Sequence, residues 1–252
     1  MKKGVELDIT ESVALVTGAN SPIGLAIASQ LAQAGADVIM AVHKNTAEAE
    51  ALAVKTNSTV LHCDLRNPEE IEDLIDQTFK IKERLDILVN NAALQTVEDL
   101  INISYEDWDA IFETNLRSVH LLIKAAVPYL QKSENASIAN VSSIEAHQPA
   151  LGHGHYSASK AALIMLTRSA AFEYGKFGIR VNSVSPGLID NGDIEKNWPE
   201  GSKRWLDSAP LKRLGKPKDV ADAILFLSSP LAKWITGSDL IVDGGIMSRP
   251  TW

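Results

Sequence analysis

Short apolar stretches alternate with helix-forming stretches along the chain, and this alternation limits the possible folds more than any other feature. The apolar stretches predict β-strands at 12–17, 37–42, 59–64, 85–90, 137–141, 179–184 and 240–242. Most segments between them have helical patterns, whereas 186–214 is polar and irregular. Such alternation predicts a parallel sheet with right-handed crossovers. We therefore predict one α/β domain over 1–252, a doubly wound parallel sheet of about seven strands with helices on both faces.

The ends of the predicted strands locate a candidate site. Ligands of such sheets bind at the carboxyl ends of the strands, near the point where the strand order reverses. Gly18, Asn90, Ser143 and Pro186 lie at the ends of predicted strands. We expect them to converge on one crevice.

Composition excludes several classes of function. The chain has 252 residues with a net charge of −8 and no basic run, which argues against nucleic-acid binding. No stretch approaches the ~20 apolar residues of a membrane span. Cys63 is the only cysteine, so a reducing compartment fits. Residues 1–6 carry no apolar signal segment, and we expect a cytoplasmic protein.

Tyr156 and Lys160 are four residues apart in a stretch rich in small residues. On a helix this spacing places both side chains on one face. A free tyrosine titrates near ~10, and a neighbouring cation lowers that pKa, which makes the phenol usable as a general acid or base. An ordinary surface helix could carry the same pair.

The turn after the first predicted strand contains Gly18 and Gly24 and precedes a predicted helix. Backbone amides at a helix N-terminus can bind a pyrophosphate. The G-x-G-x-x-G spacing is absent, so an ordinary tight turn is an equal alternative.

The second predicted strand ends at Val42 and is followed by His43, Lys44 and Asn45, without a carboxylate. An acidic residue there usually holds the adenosine ribose, whereas a basic, acid-free corner accepts a 2′-phosphate. This favours NADP(H), with NAD(H) possible. The alternative is that His43 and Lys44 are solvated surface.

Further motifs occur in a fixed order along nearly the whole chain. Residues 17–24 are similar to a TGxxxGxG turn, residues 90–93 to NNAG, and Tyr156 with Lys160 to YxxxK. The other matching positions are Asn115, Ser143, Pro186, Gly187, 210–217 and 235–245. This ordered set resembles the short-chain dehydrogenase/reductase family.

Three positions depart from the family pattern: Pro22 replaces the middle glycine, Ala93 the last residue of NNAG, and Asn191 a threonine. Proline suits the first position of a helix, because it needs no amide acceptor there. We expect Ala93 to crowd the cofactor slightly, and Asn191 retains hydrogen-bonding capacity.

The resemblance implies a Rossmann-type fold and an NAD(P)(H)-dependent oxidoreductase. Hydride would pass between the nicotinamide and a carbonyl or secondary alcohol of a small ketone, 3-oxoacyl or sugar-type substrate. It also implies a homotetramer or homodimer, with the helix face 163–172 and the C-terminal strand at interfaces. The implied cofactor-binding residues are Gly18, Asn20, Ser21, Pro22, Ile23, Gly24, His43, Lys44, Asp64, Leu65, Asn91, Ala92, Ala93, Tyr156, Lys160, Pro186, Gly187 and Ile189.

By the same resemblance, the catalytic residues are Asn115, Ser143, Tyr156 and Lys160. Tyr156 would donate a proton to the substrate oxygen, which Ser143 positions. Lys160 would lower the tyrosine pKa and bind the nicotinamide ribose, and Asn115 would hold a water that links Lys160 to solvent.

Substrate contacts are expected from Gln95, Glu145, His153 and Trp198, with a substrate lid at about 188–214. Trp205 lies in the same lid. His147, His153 and His155 are close in sequence, but no cysteine or further carboxylate pair completes a metal set, so no metal is expected.

Three alternative functions compete with this interpretation. A catalytically inactive, cofactor-binding regulatory protein of the same fold is free to lose one of the four catalytic residues, yet all are present. Sugar-nucleotide epimerases share YxxxK but usually have a longer C-terminal domain. A methyltransferase on a similar sheet would not explain Ser143, Tyr156 and Lys160 together.

Overall fold

The computed structural model describes residues 7–248. Residues 1–6, where no signal segment is expected, lie outside this range, as do residues 249–252. Within the described range, no helix has the length and apolar character needed to cross a lipid bilayer.

The seven strands form one parallel sheet in the order β3-β2-β1-β4-β5-β6-β7. The strands are β1 (Val13–Thr17), β2 (Asp37–Val42), β3 (Thr59–His62), β4 (Ile87–Asn90), β5 (Ser137–Val141), β6 (Arg180–Pro186) and β7 (Asp239–Val242). The predicted fold is confirmed. The strand order reverses between β1 and β4, which defines the switch point where ligands bind in such sheets.

The described residues contain nine α-helices, and most of them cover the two faces of the sheet. They are α1 (Pro22–Gln33), α2 (Ala47–Thr56), α3 (Pro68–Lys82), α4 (Tyr105–Phe112), α5 (Ser118–Leu130), α6 (Gly154–Tyr174), α7 (Ile194–Asn197), α8 (Pro199–Ser208) and α9 (Pro217–Ser228). Apolar residues of α1 and α9 form one buried cluster with the sheet, and those of α3, α5 and α6 form a second. Every residue of β1 and β4 is buried, as expected for parallel strands that are covered on both sides.

Proline and a polar cap start two of the helices as the sequence suggests. Pro22 occupies the first turn of α1, where the Ser21 hydroxyl accepts a hydrogen bond from the Gly24 amide. Pro68 begins α3, where the Asn67 side chain accepts from the Glu69 amide. Proline is compatible with both helix starts, which confirms the expectation for Pro22.

Two predicted segments differ from the structure. Residues 113–117 form a π-helical turn that joins α4 directly to α5, so this segment is not α-helical throughout, although its helical pattern suggested that it would be. Residues 186–214 are not wholly irregular, because they contain α7 and α8. The pattern of α8 was missed because the helix is short and mostly polar, with Gly201 and Trp205 on its inner face.

Candidate active site

A crevice of about 1830 Å³ opens where the carboxyl ends of the strands meet. Gly18, Ser143 and Pro186 line it, as predicted. Asn90 does not, because its side-chain amide lies inside the protein and donates to Asn140 Oδ1 at 2.8 Å. The next residue, Asn91, lines the crevice in its place.

Most residues expected at the site line this one crevice. They are Gly18, Asn20, Ser21, Pro22, Ile23, His43, Lys44, Asp64, Leu65, Asn91, Ala92, Ala93, Gln95, Ser143, Glu145, His153, Tyr156, Lys160, Pro186, Gly187, Ile189 and Trp198. Gly24 and Asn115 do not line the crevice and lie behind its wall.

The glycine turn has the shape of an anion cradle. Gly18 has a φ of +61°, which favours glycine, and an added Cβ would lie 2.8 Å from the Cα of Ala92. A Cβ on Gly24 would overlap the carbonyl oxygen of Gly18. Since Pro22 has no amide and Ser21 caps that of Gly24, the Ile23 amide is left to donate at the α1 N-terminus. The turn therefore fits a pyrophosphate.

Asn91 fixes the position of this turn against β4. Its amide nitrogen donates to the carbonyl oxygens of Thr17 at 2.9 Å and Gly18 at 3.0 Å. The backbone amide of Asn91 also donates to the Thr17 hydroxyl at 3.1 Å. Asn91 thus holds two strand ends together at the switch point.

The corner beyond β2 and β3 is basic. His43 and Lys44 line it, and Asp64 is paired with Arg66 at 3.0 Å and with His43 Nε2 at 3.6 Å. The Arg66 side chain is the main reason that the pKa of Asp64 falls to about 2, and His43 contributes to the same shift. Sequence reasoning missed Arg66, although its position two residues after Asp64 was a usable signal.

Ser143, Tyr156 and Lys160 are brought together next to β5. Tyr156 and Lys160 lie on α6, and Lys160 Nζ is 5.6 Å from the centre of the Tyr156 ring. Lys160 is almost fully buried and donates to the Val141 carbonyl at 2.8 Å. The Ser143 hydroxyl, in the loop after β5, accepts from the Glu145 amide at 3.1 Å.

Burial controls the ionisation of the Tyr156–Lys160 pair. Burial and, second, the Glu145 carboxylate raise the pKa of Tyr156 to about 12, while a hydrogen bond from Ser143 opposes the shift. Burial also lowers the pKa of Lys160 to about 8. The pKa of Tyr156 is therefore raised, whereas Lys160 was expected to lower it. Tyr156 stays a neutral phenol at neutral pH, the form that can donate a proton.

Asn115 occupies the π-helical turn and braces the site from behind. Its side-chain oxygen accepts from the Leu94 amide at 2.7 Å, and its nitrogen donates to the Leu94 carbonyl at 2.9 Å and to Ser159 Oγ at 3.1 Å. These contacts link the loop after β4 to α6. These side-chain contacts give Asn115 a bracing position, and its expected role in holding a water stays a prediction.

Three residues expected near the substrate contact one another beside Tyr156. His153 Nδ1 lies 2.9 and 3.1 Å from the two carboxylate oxygens of Glu145. Gln95 Nε2 lies 3.4 Å from the same ring nitrogen. The ring centres of His153 and Tyr156 are 6.3 Å apart. The arrangement forms a polar wall, defined here as Gln95, Glu145 and His153.

The other two histidines of the region have separate partners. His147 Nε2 contacts Asp239 at 2.7 Å, and the buried His155 contacts Thr96 Oγ1 at 2.9 Å. Within residues 7–248, no three His, Cys, Asp or Glu side chains are grouped as metal ligands. The expectation of no metal stays a prediction.

Helices α7 and α8 contribute aromatic and basic side chains to the crevice. Trp205 packs over Gly187, where an added Cβ would lie 2.6 Å from the indole. Arg204 lies over the Trp198 ring, with the guanidinium carbon 5.7 Å from the ring centre. Arg204 was missed because the sequence did not predict the helix that turns it toward the crevice.

Comparisons with known proteins agree with this geometry. Residues 18–247 match the profile of a family described as enoyl-(acyl carrier protein) reductase. The chain is 37% identical to the 3-oxoacyl-[acyl-carrier-protein] reductase FabG of Thermotoga maritima, over 93% of this chain and 97% of the relative.

Two solved structures are also similar. The ligand-free aldohexose dehydrogenase of Thermoplasma acidophilum has a TM-score of 0.88 and 33% identity, covering 96% of each chain. The NADPH-bound structure of a short-chain oxidoreductase with an atypical catalytic center, from Pseudomonas aeruginosa PAO1, has a TM-score of 0.89 and 32% identity, covering 96% of this chain and 99% of that one.

These findings favour an enzyme over the inactive regulatory protein. With the fold and the crevice, they show an NAD(P)-dependent oxidoreductase that acts on carbonyl or alcohol groups. The chain belongs to the short-chain dehydrogenase/reductase family.

Proposed function

We propose that the protein is an NADP(H)-preferring carbonyl reductase or alcohol dehydrogenase whose proton chemistry is carried by Ser143, Tyr156 and Lys160. The observation that supports the cofactor preference is the state of Asp64, the only carboxylate that lines the crevice at the end of β3. The Arg66 guanidinium already neutralises it, and Lys44 adds a positive charge to the same corner. The corner therefore presents net positive charge, which suits a 2′-phosphate better than a free ribose hydroxyl.

The nicotinamide cofactor, when bound, supplies or accepts the hydride. In the reductive direction the carbonyl carbon gains that hydride, and the oxygen gains one proton from Tyr156, which completes the alcohol. The Ser143 hydroxyl donates a hydrogen bond to the same oxygen as negative charge develops on it. Lys160, with a pKa of about 8, is mostly an ammonium at neutral pH and stabilises the phenolate that remains.

Asn115 acts as a positioning residue in this scheme. It connects Leu94 to Ser159, and the Ser159 hydroxyl donates to the Tyr156 carbonyl at 2.7 Å. The helix turn that carries Tyr156 is thereby tied to the loop after β4, so the contribution of Asn115 is to hold the phenol in place.

Fluorescence titration with NADPH and NADH tests the cofactor preference. We expect NADPH to bind at least ~10-fold more tightly, a difference of about 1.4 kcal/mol. Lys44→Gln should reduce NADPH affinity and leave NADH affinity unchanged. Lys124→Gln, at an exposed position on α5, is the matched control. Equal or tighter NADH binding by the unaltered protein would overturn the proposal.

We also propose a single domain over 1–252, with residues 188–214 as the substrate lid. The lid assignment is supported by Trp198, between α7 and α8, and by Trp205 on α8, which both line the crevice. Limited proteolysis with and without NADPH and substrate tests it, because a lid should be cut more slowly when it closes over ligand. Equal cleavage in both conditions would contradict the assignment.

A homotetramer or homodimer remains our proposal for the assembly. On α6, Met165 and Phe172 are 58% and 91% exposed, and Trp234, close to β7, is 99% exposed. Leu163, expected on the same interface, is buried within the protomer and does not contribute. Sedimentation of the unaltered protein, with Phe172→Lys for comparison, tests this proposal. The proposal is refuted if the unaltered protein sediments as a monomer. The cytoplasmic location stays a prediction.

A further inference from the structure

The polar wall of Gln95, Glu145 and His153 is built from three separate elements. Gln95 lies in the loop after β4, Glu145 in the short helical turn after β5, and His153 directly before α6. All three line the crevice, and the side chains of Glu145 and His153 are each 18% exposed. Their convergence beside Tyr156 places a built polar surface next to the reacting carbon.

Glu145 makes this surface unfavourable for an anionic group. Its carboxylate is close enough to Tyr156 to oppose ionisation of the phenol. A substrate carboxylate or phosphate at the same place would meet the same repulsion. The wall therefore selects a substrate that is uncharged near the reacting carbon.

Unused hydrogen-bonding capacity shows what kind of uncharged group fits. A carboxylate can accept about four hydrogen bonds, and Glu145 meets only His153 and, at 3.4 Å, Ser157 through side chains. The contacts of His153 with Glu145 and Gln95 all use Nδ1, which leaves Nε2 to meet a ligand. An apolar substrate would bury these groups without partners, at a cost in binding. A hydroxyl can donate to Glu145 and exchange a hydrogen bond with His153.

Trp198 and Trp205 supply a different kind of surface to the same crevice. Trp198 is 48% exposed, so one part of its indole is open, and the Trp205 ring covers Gly187. Indole faces pack against C–H groups, while polar groups at their edges stay hydrogen-bonded. A ring that has hydroxyls at its edge and C–H groups on its face matches both surfaces.

We propose that the substrate is a neutral polyhydroxylated compound, a sugar or cyclic polyol, and that Glu145 and His153 bind the hydroxyl adjacent to the carbon that is oxidised or reduced. This inference rests on the proposed function and deepens it by naming the substrate class. Glu145 and His153 are then specificity residues, and the reaction is an oxidation of one hydroxyl of a vicinal diol, or its reverse.

The test compares substrates that differ by one hydroxyl. Purified protein with NADP⁺ or NAD⁺ is assayed on cyclohexanol and on cis- and trans-cyclohexane-1,2-diol. We expect kcat/KM for the better diol to exceed that for cyclohexanol by at least ~10-fold. In Glu145→Gln this ratio should fall toward one, because turnover of the diol drops further than turnover of cyclohexanol.

The ratio isolates hydroxyl binding from any change in Tyr156. Removing the Glu145 charge also alters the ionisation of Tyr156, but that alteration affects both alcohols alike. His153→Gln provides a second variant, and Glu98→Gln, an exposed carboxylate outside the crevice, is the matched control. Circular dichroism and urea unfolding of each variant report separately that it remains folded.

The outcomes distinguish a failure of the substrate class from a failure of the proposed function. A diol-to-cyclohexanol ratio near one in the unaltered protein, or an equal loss for both alcohols in Glu145→Gln, overturns the substrate class. If the unaltered protein still reduces cyclohexanone with NADPH, the proposed function stands even though the substrate class is wrong. Failure to oxidise any of the alcohols or to reduce cyclohexanone and 2-hydroxycyclohexanone overturns the proposed function, and the substrate class with it.

Discussion

Replacement of Lys160 by methionine should make the protein more stable at neutral pH while it removes activity. Lys160 is buried, and its ammonium has a single hydrogen bond, to the Val141 carbonyl at 2.8 Å. Burial lowers its pKa from 10.5 to about 8, which means that the folded state disfavours the charge that it carries at pH 7. Methionine fills a similar volume without a charge.

The lowered pKa sets the size of the effect. A shift from 10.5 to about 8 corresponds to roughly 3 kcal/mol of destabilisation at pH 7, at ~1.4 kcal/mol for each pH unit. Loss of the donor to the Val141 carbonyl opposes the gain by about 1–3 kcal/mol. The net gain is then about 0–2 kcal/mol, or up to ~8 °C in Tm for a chain of this size.

The pH dependence is the sharper test, because the cost of leaving the Val141 carbonyl without a donor does not change with pH. The folded pKa is depressed, so the cost of the ammonium is full below pH 8 and is relieved as the pH rises toward 10.5. The advantage of Lys160→Met should therefore shrink by about 1 kcal/mol between pH 7 and pH 9. Burial raises the pKa of Cys63 to about 12, which lowers stability above pH 9 in both proteins and cancels in the difference.

Urea unfolding of both proteins at pH 7, 8 and 9 measures this difference. Lys124→Met, on the exposed side of α5, is the control, and its difference from the unaltered protein should stay flat across the range. A stability difference between Lys160→Met and the unaltered protein that is constant from pH 7 to pH 9 would refute the reasoning, whatever its sign.

Three other substitutions test the remaining parts of the site. Tyr156→Phe should fold and bind cofactor but lose at least ~10²-fold in turnover, and near-normal turnover would remove its role as proton donor. Gly24→Ala would overlap a backbone carbonyl and should weaken NADPH binding by at least ~10-fold, whereas Gly175→Ala, with nothing within 4 Å, should bind normally. Asn115→Ala leaves a buried amide without its acceptor and should lower the free energy of unfolding by about 1–3 kcal/mol; unchanged stability in urea would contradict the bracing position.

The sheet was predictable from the sequence because parallel strands buried on both sides are continuous apolar runs. Val13–Thr17 and Asp37–Val42 are such runs, and the glycine turn and helix caps between them are local signals. The catalytic tyrosine and lysine were predictable because a helix fixes their relative direction from spacing alone. Information that is local in the chain therefore gave both the fold and the centre of the site.

What was missed depends on geometry that spacing does not specify. Asn90 is the last residue of β4 and faces Asn140 on β5, and the following residue, Asn91, faces the glycine turn instead. The π-helical turn at 113–117 adds a residue to the helix and sets the direction of Asn115, which an α-helical pattern would place wrongly. Arg66 gained its role only through its pairing with Asp64 at 3.0 Å.

The buried charged groups of this site cost stability, whereas the apolar clusters of the fold do not. Lys160 and Tyr156 are buried with few partners, and Glu145 adds a carboxylate to the same region, so their pKa values are displaced in opposite directions. The sheet can support these groups because β1 and β4, beside the crevice, are completely buried between two apolar clusters. A substitution that relieves the electrostatic cost, such as Lys160→Met, removes the charge that stabilises the phenolate. Stability gained at this position should therefore always be accompanied by a loss of turnover, whereas stability gained in the apolar clusters should not.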